Sequence, residues 1–229
     1  MNIQGLQKMT LLDFPGKVAC TAFLGGCDFR CPFCHNAQLL DGSAETVMTD
    51  KDLLTFLEKR KGLLDGVAIT GGEPTLRPEL PELLAKIRTM GFAVKLDTNG
   101  NHPEVLRRIL GEGLADYVAM DIKNSPERYG ETVGIPGFDV GNIEKSMTIL
   151  KMSGVDHEFR TTVVRELHDE NSFRAIGPWI AGAEHYFLQC FTDRDTVPFR
   201  GLHAPEKDEL ERFADLVRPF VRDVRIRGV

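Results

Sequence analysis

The stretch GGCDFRCPFCHN, residues 25–36, places Cys27, Cys31 and Cys34 in the spacing C-x3-C-x2-C, with no fourth cysteine nearby. Glycines precede the group, so it reads as a loop. The apolar run VACTAFL, residues 18–24, leads straight into it, which sets the loop at the carboxyl end of a strand. A structural zinc site wants four Cys or His ligands. His35 directly follows Cys34, and adjacent residues rarely both reach one tetrahedral ion; no second C-x2-C lies downstream to complete a set. A [4Fe–4S] cluster is normally held by four thiolates. Three would leave one iron with an open position for chemistry, as catalytic zinc sites keep one.

Outward from this loop the chain alternates. Apolar, β-rich runs recur at GVAIT (66–70), FAVKLDT (92–98), YVAMDI (117–122), HEFRTTVV (157–164) and HYFLQCF (185–191). Helical stripes lie between them. Thr49 and Asp52 predict a capping box ahead of Leu53, Leu54 and Leu57. Leu80, Leu83, Leu84 and Ile87 form a stripe ended by Gly91, and Val105, Leu106, Ile109 and Leu110 one stopped by Gly111. Ile143, Met147 and Leu150 form another, stopped near Gly154; a weaker one spans 175–180; Leu210, Phe213, Val217 and Phe220 mark the last.

Strands alternating with helices imply right-handed βαβ units on a parallel sheet. A complete eight-unit barrel takes about 250 residues, so six units in 229 residues predict a single-domain partial (βα)6 TIM-like barrel, open laterally, over 1–229. Its last helix and strand fall at about 204–229. In the segment RPFVRDVRIRGV, a solvated edge strand is expected, with Val224 and Ile226 facing in. Ligands of parallel α/β sheets sit at the strands' carboxyl ends. There lie the cysteine loop, TGGEP (70–74), DTNG (97–100) and DIK (121–123). Each could be a simple turn; together at one edge they predict one site.

Composition narrows the partners. Acidic residues outnumber basic ones, 34 to 28, giving net charge −6, which argues against a nucleic-acid partner. No apolar run approaches the roughly 20 residues that span a bilayer, and the N-terminus lacks a signal-peptide pattern. A soluble, cytoplasmic protein is expected. Five cysteines in such a chain make a poor disulfide framework. Cys20 and Cys190 lie in apolar runs and are expected to be buried.

C-x3-C-x2-C followed by Gly71, Gly72 and Glu73 resembles the radical S-adenosylmethionine (SAM) superfamily. CDFRCPFCHN resembles its glycyl-radical-enzyme activating enzymes. The opening GLQKMTLLDFPGKVACTAF, with DTNG, DIK, VGIPG and EFRTTVVRE, resembles in particular the anaerobic ribonucleoside-triphosphate reductase activating proteins. The resemblance implies that Cys27, Cys31 and Cys34 hold three irons of a [4Fe–4S] cluster whose fourth iron is chelated by S-adenosylmethionine. It implies Phe33 near the adenine and Glu73 accepting from the methionyl ammonium, with Gly71 and Gly72 permitting close approach. Asp97 and Thr98 are implied at the cofactor or, with Asp121, at a monovalent cation. Lys123 is implied at the methionyl carboxylate or ribose, and Gly134, Ile135 and Gly137 against the adenine. Gln189 stands where some relatives carry a histidine and is placed at the ligand.

The implied reaction is anaerobic. Reductive cleavage of S-adenosylmethionine gives a 5′-deoxyadenosyl radical, which takes a hydrogen atom from a glycine of a partner enzyme. The open barrel suits a loop of another protein. No further cysteine lies between Cys34 and Gly66, so there is no second cluster, and flavodoxin or ferredoxin is expected as electron donor. Two alternatives stand: a radical enzyme of a small heterocycle, with His157, Arg160, Thr162 and Arg165 as substrate ligands, and a non-catalytic metal-binding scaffold.

Overall fold

The computed structural model describes all 229 residues. In chain order the strands are β1 (Asn2–Ile3), β2 (Gly5–Thr10), β3 (Ala19–Leu24), β4 (Met48–Thr49), β5 (Gly66–Gly71), β6 (Ala93–Thr98), β7 (Tyr117–Asp121), β8 (Asp156–Val163), β9 (His185–Cys190) and β10 (Asp223–Arg227). The helices are α1 (Asp50–Glu58), α2 (Leu80–Thr89), α3 (Pro103–Gly111), α4 (Tyr129–Val133), α5 (Gly141–Ser153), α6 (Glu170–Trp179) and α7 (Lys207–Val217).

Eight strands form one sheet in the order β10-β9-β8-β7-β6-β5-β3-β2. All neighbours are parallel except the β2–β3 pair. β10 and β2 are not bonded to each other, so the expected lateral opening lies between them. The six predicted strands are β3 and β5–β9. Strand β2 has no counterpart among the predicted strands: over GLQKMT its burial runs from half-buried through exposed to a buried Thr10, and it carries no alternating apolar pattern.

The core lies between the sheet's outer face and the helices. Leu53 and Leu57 of α1, Leu83, Leu84 and Ile87 of α2, Leu106 and Ile109 of α3, Ile143 and Leu150 of α5, and Leu210 and Val217 of α7 are all buried there. Each contributes the stabilisation of a buried aliphatic side chain, roughly 1.5–3 kcal/mol. The Thr49–Asp52 capping box is present, and Gly154 ends α5 in the left-handed region. Two helix ends differ from expectation. Helix α3 runs through Gly111 and turns only at Gly113, whose φ of 63° needs a glycine. Helix α7 stops at Val217, so Phe220 lies beyond it, partly exposed.

Val224 and Ile226 of β10 pack against this core, as expected. From the same strand Arg227 reaches under the sheet. It forks onto Glu158 of β8 at 2.8 and 2.9 Å and stacks over the Phe187 ring at 3.3 Å.

Candidate cofactor site at the carboxyl edge of the sheet

Successive side chains of a strand face opposite ways. The concave-side residues at the strand ends are Thr70 on β5, Asp97 on β6, Asp121 on β7, Arg160 and Thr162 on β8, and Gln189 on β9. All border one cavity of about 880 Å³, counting its open mouth. Cys27, Cys31 and Cys34 border it too, with Phe33, Gly71, Gly72, Thr98 and Lys123. The loops that the sequence placed at one edge therefore do converge.

Four neighbours hold the cysteine loop. From below, Glu73 N donates to Gly26 O at 2.7 Å, and Gly72 N to Leu24 O at 2.8 Å. A Cβ on Gly71 would lie 2.3 Å from Leu24 O, and one on Gly72 2.1 Å from Gly26 O. The two glycines are thus demanded by the backbone of β3 and the cysteine loop, not by a ligand alone. Asn36 Nδ2 donates to Gly71 O at 3.0 Å, closing the contact from the loop's far end. Behind the loop, Arg30 N donates to Val133 O at 2.8 Å. On the β9 side, the His35 ring stacks on Phe191 and its Nε2 lies 2.7 Å from Thr192 O. On the β6 side, Asp28 meets Asn99, Asn101 and His102.

Burial sets the charge of the thiols. It pushes Cys27 up to about 12 and Cys31 up to about 11, and it raises Cys34. These are thiols that metal binding deprotonates. No group of three or more His, Cys, Asp or Glu side chains is close-set enough for a single metal ion. Three thiols border one roomy cavity, and the histidine beside them, His35, is stacked on Phe191 with its Nε2 against Thr192 O, so the set fits an iron–sulfur cluster better than zinc.

Glu73 differs from expectation. Its carboxylate is fully buried and does not border the cavity. It accepts from Thr75 N at 3.0 Å, Thr75 Oγ1 at 2.5 Å, Thr98 Oγ1 at 2.8 Å and Asn99 N at 2.6 Å. Burial pushes this carboxyl up against the pull of those four donors. With three donors on Oε1 and one on Oε2, Glu73 ties the turn after β5 to the turn after β6.

At the expected monovalent-cation position the structure places an arginine. Arg160 lies between its two carboxylates, with Nη2 3.1 Å from Asp97 Oδ2 and Nε 2.5 Å from Asp121 Oδ1. The Thr98 hydroxyl is spent on Glu73. The Arg160 guanidinium, with Lys95 and Lys123 beside it, offsets the charge of Asp97 and Asp121, while Asp97 Oδ1 has no hydrogen-bond partner. Lys123 Nζ takes the other Asp121 oxygen at 2.7 Å. Burial pushes the Asp121 carboxyl up, but Arg160 and Lys123 outweigh it and hold the group at about 2.

Gly134 and Ile135 do not border the cavity either. Gly134 ends α4 in the left-handed region, and a Cβ there would lie 2.5 Å from Arg30 O. It buttresses the back of the cysteine loop. Cys20 is buried as expected, while Cys190 is only half-buried.

Several groups had no signal in the motif reading. Asn36 closes the recognised cysteine stretch without a role assigned to it, and Asn101 and His102 lie just past DTNG. His168 is buried and fixes the loop of Lys123: its Nδ1 accepts from Val164 N at 3.1 Å, and its Nε2 lies 2.9 Å from Lys123 O. Burial lowers its pKa, which keeps Nδ1 free to accept.

Comparison with known proteins agrees with this arrangement. The family model described as the radical SAM superfamily matches residues 21–172. A Methanocaldococcus jannaschii protein named "putative glycyl-radical enzyme activating enzyme" is 31% identical over 238 residues, covering 99% of this chain and 96% of its own. The 7-carboxy-7-deazaguanine synthase of Thermococcus kodakarensis is 26% identical over 166 residues, 64% of each chain. A radical SAM methyltransferase structure from Sphaerobacter thermophilus superposes with a TM-score of 0.75 at 15% identity, over 96% of this chain and 69% of that one.

Proposed function

The chain belongs to the radical SAM superfamily, and from that membership we propose that it activates a glycyl radical enzyme, with anaerobic ribonucleotide reductase or a similar enzyme as its protein substrate. One observation carries the reading: three thiols and no fourth cysteine border one cavity at the carboxyl edge of a barrel that is open between β2 and β10. In this proposal Cys27, Cys31 and Cys34 hold a [4Fe–4S] cluster. When bound, cluster and S-adenosylmethionine supply an electron transfer to the sulfonium and a 5′-deoxyadenosyl radical that takes a hydrogen atom from a glycine Cα.

The chain's own residues bind and orient. Lys123 has hydrogens to spare beyond its bond to Asp121 and suits the methionyl carboxylate. The backbone of Gly71 and Gly72 borders the cavity and offers carbonyls to the methionyl ammonium. Phe33 supplies an apolar wall, and Gln189 an amide at the far strand. Thr162 adds a hydroxyl. The lateral gap gives a partner's loop a way in, and a seated loop would exclude water from the radical. An electron donor such as flavodoxin or ferredoxin completes the scheme.

The small-heterocycle alternative draws support from the deazaguanine synthase relative. It asks for uncommitted polar ligands around the mouth, and these are few. Arg160 is committed to Asp97 and Asp121. His157 is on the outer face of β8, and Arg165 pairs with Glu206 and Glu209 on the surface. Only Thr162 of the four candidates borders the cavity uncommitted.

The test is anaerobic incubation of the reduced, cluster-loaded protein with S-adenosylmethionine and a candidate glycyl radical partner. A doublet radical signal on the partner with equimolar 5′-deoxyadenosine supports the proposal. Cofactor cleavage with every partner left without a radical moves weight to the small-molecule reading.

A further inference from the structure

Asp28 follows Cys27 directly, yet its side chain is bound by a different part of the fold. Oδ1 accepts from Asn99 Nδ2 at 2.8 Å, and Oδ2 accepts from Asn101 Nδ2 at 2.7 Å. His102 Nε2 lies 3.0 Å from Oδ2. An ionised carboxylate only accepts, so that His102 nitrogen carries the proton. All three donors come from the turn between β6 and α3. That turn is itself braced, with Asn101 N donating to Asn99 Oδ1 at 2.9 Å and Asn142 Nδ2 to Asn101 O at 3.1 Å. Asp28 Oδ1 also lies 3.9 Å from Cys27 Sγ. No donor from the cysteine loop's own backbone satisfies this carboxylate, so it is not a local turn device. It is a long-range tether that ends beside a thiol.

We propose that Asp28 is a positioning residue that pins the Cys27 end of the cysteine loop to the turn after β6, and that the negative charge it holds there lowers the reduction potential of the cluster. The potential of an iron–sulfur cluster follows its net charge, its hydrogen bonds and its exposure, and a fixed neighbouring carboxylate disfavours adding an electron. The inference rests on the reading that Cys27, Cys31 and Cys34 carry the cluster.

Two measurements on the full chain test it. In hydrogen–deuterium exchange of the iron-free protein, Asp28→Asn is expected to speed exchange across residues 27–34 and 99–102 about tenfold, leaving the remaining strands unchanged. In redox titration of the anaerobically loaded protein, the same variant is expected to be about tenfold easier to reduce, a rise of about 59 mV for a one-electron couple. If Asp28→Asn does not fold, Asn101→Ala, which keeps the charge and removes one donor, is expected to speed exchange by less and to move the midpoint down rather than up, because the carboxylate loses a donor that offsets its charge. Unchanged exchange in the loop, or an unchanged midpoint in a fully loaded variant, overturns the inference. A wild-type protein that loads no cluster overturns the underlying cofactor reading instead.

Discussion

The Thr98 hydroxyl donates to Glu73 Oε1 at 2.8 Å, binding the end of β6 to the turn after β5 inside a fully buried site. With Asn99 N and both donors of Thr75, it makes Glu73 a junction of two site loops. Glu73→Gln swaps an acceptor-only group for one whose NH2 faces donors. A buried donor left without a partner costs about 1–3 kcal/mol. The iron-free variant is expected to lose about that much in urea unfolding. A glutamate serving only a ligand would leave the iron-free protein's stability unchanged.

Arg160 holds the half-buried Asp97 and Asp121 together, and removing it leaves them only Lys95 and Lys123 as cations. Breaking a buried pair in this way costs about 3–5 kcal/mol. Arg160→Ala, at a half-buried site with Lys95 and Lys123 still in place, is expected to be destabilised by less than that and to become sensitive to small cations. Its melting temperature should rise in potassium or sodium chloride relative to choline chloride at equal ionic strength. The wild type should show no such discrimination.

Glu158 is fully buried, and Arg227 and Tyr117 both bond it. Burial pushes its carboxyl up, but the Arg227 fork outweighs burial and holds it below the usual 4.5. A depressed folded pKa gives stability that is present above the unfolded value and lost as pH falls through the folded one. Arg227→Met should therefore be less stable than wild type at pH 7. The gap should narrow progressively below about pH 4.5. Urea unfolding at pH 7 and pH 4 measures it.

The cysteines divide into two classes. Cys27→Ser, Cys31→Ser and Cys34→Ser are each expected to cut bound iron severely after anaerobic reconstitution. Cys20→Ser and Cys190→Ser should keep close to the wild-type iron content, because neither borders the cavity. Iron and sulfide assays read this directly.

The strands and helices were legible where apolar spacing matches a period. Leu53/Leu57 and Leu106/Ile109 face the core because the helical repeat puts them there. Strand β2 escaped because GLQKMT is a partly exposed edge with no such repeat. Motif spacing brought the right loops to one sheet edge but did not fix where side chains point. Glu73 sits in the right turn but does not border the cavity, because Thr98 and Asn99, which do, donate to it. Arg160 was weighed as a substrate ligand, but the carboxylates of neighbouring strands claim it. The Asp28 tether depends on pairing between distant residues, which a linear reading does not carry; Asn101 and His102, just past DTNG, were its only trace.

In the proposed reading, three thiolates hold a cubane whose remaining iron is free to take S-adenosylmethionine. Low-temperature electron paramagnetic resonance of the reduced, anaerobically reconstituted protein, with and without S-adenosylmethionine, tests it most directly. The account predicts about four irons per chain and a cluster signal whose shape changes when the sulfonium is added. No cluster, or a signal identical with and without S-adenosylmethionine, would contradict it.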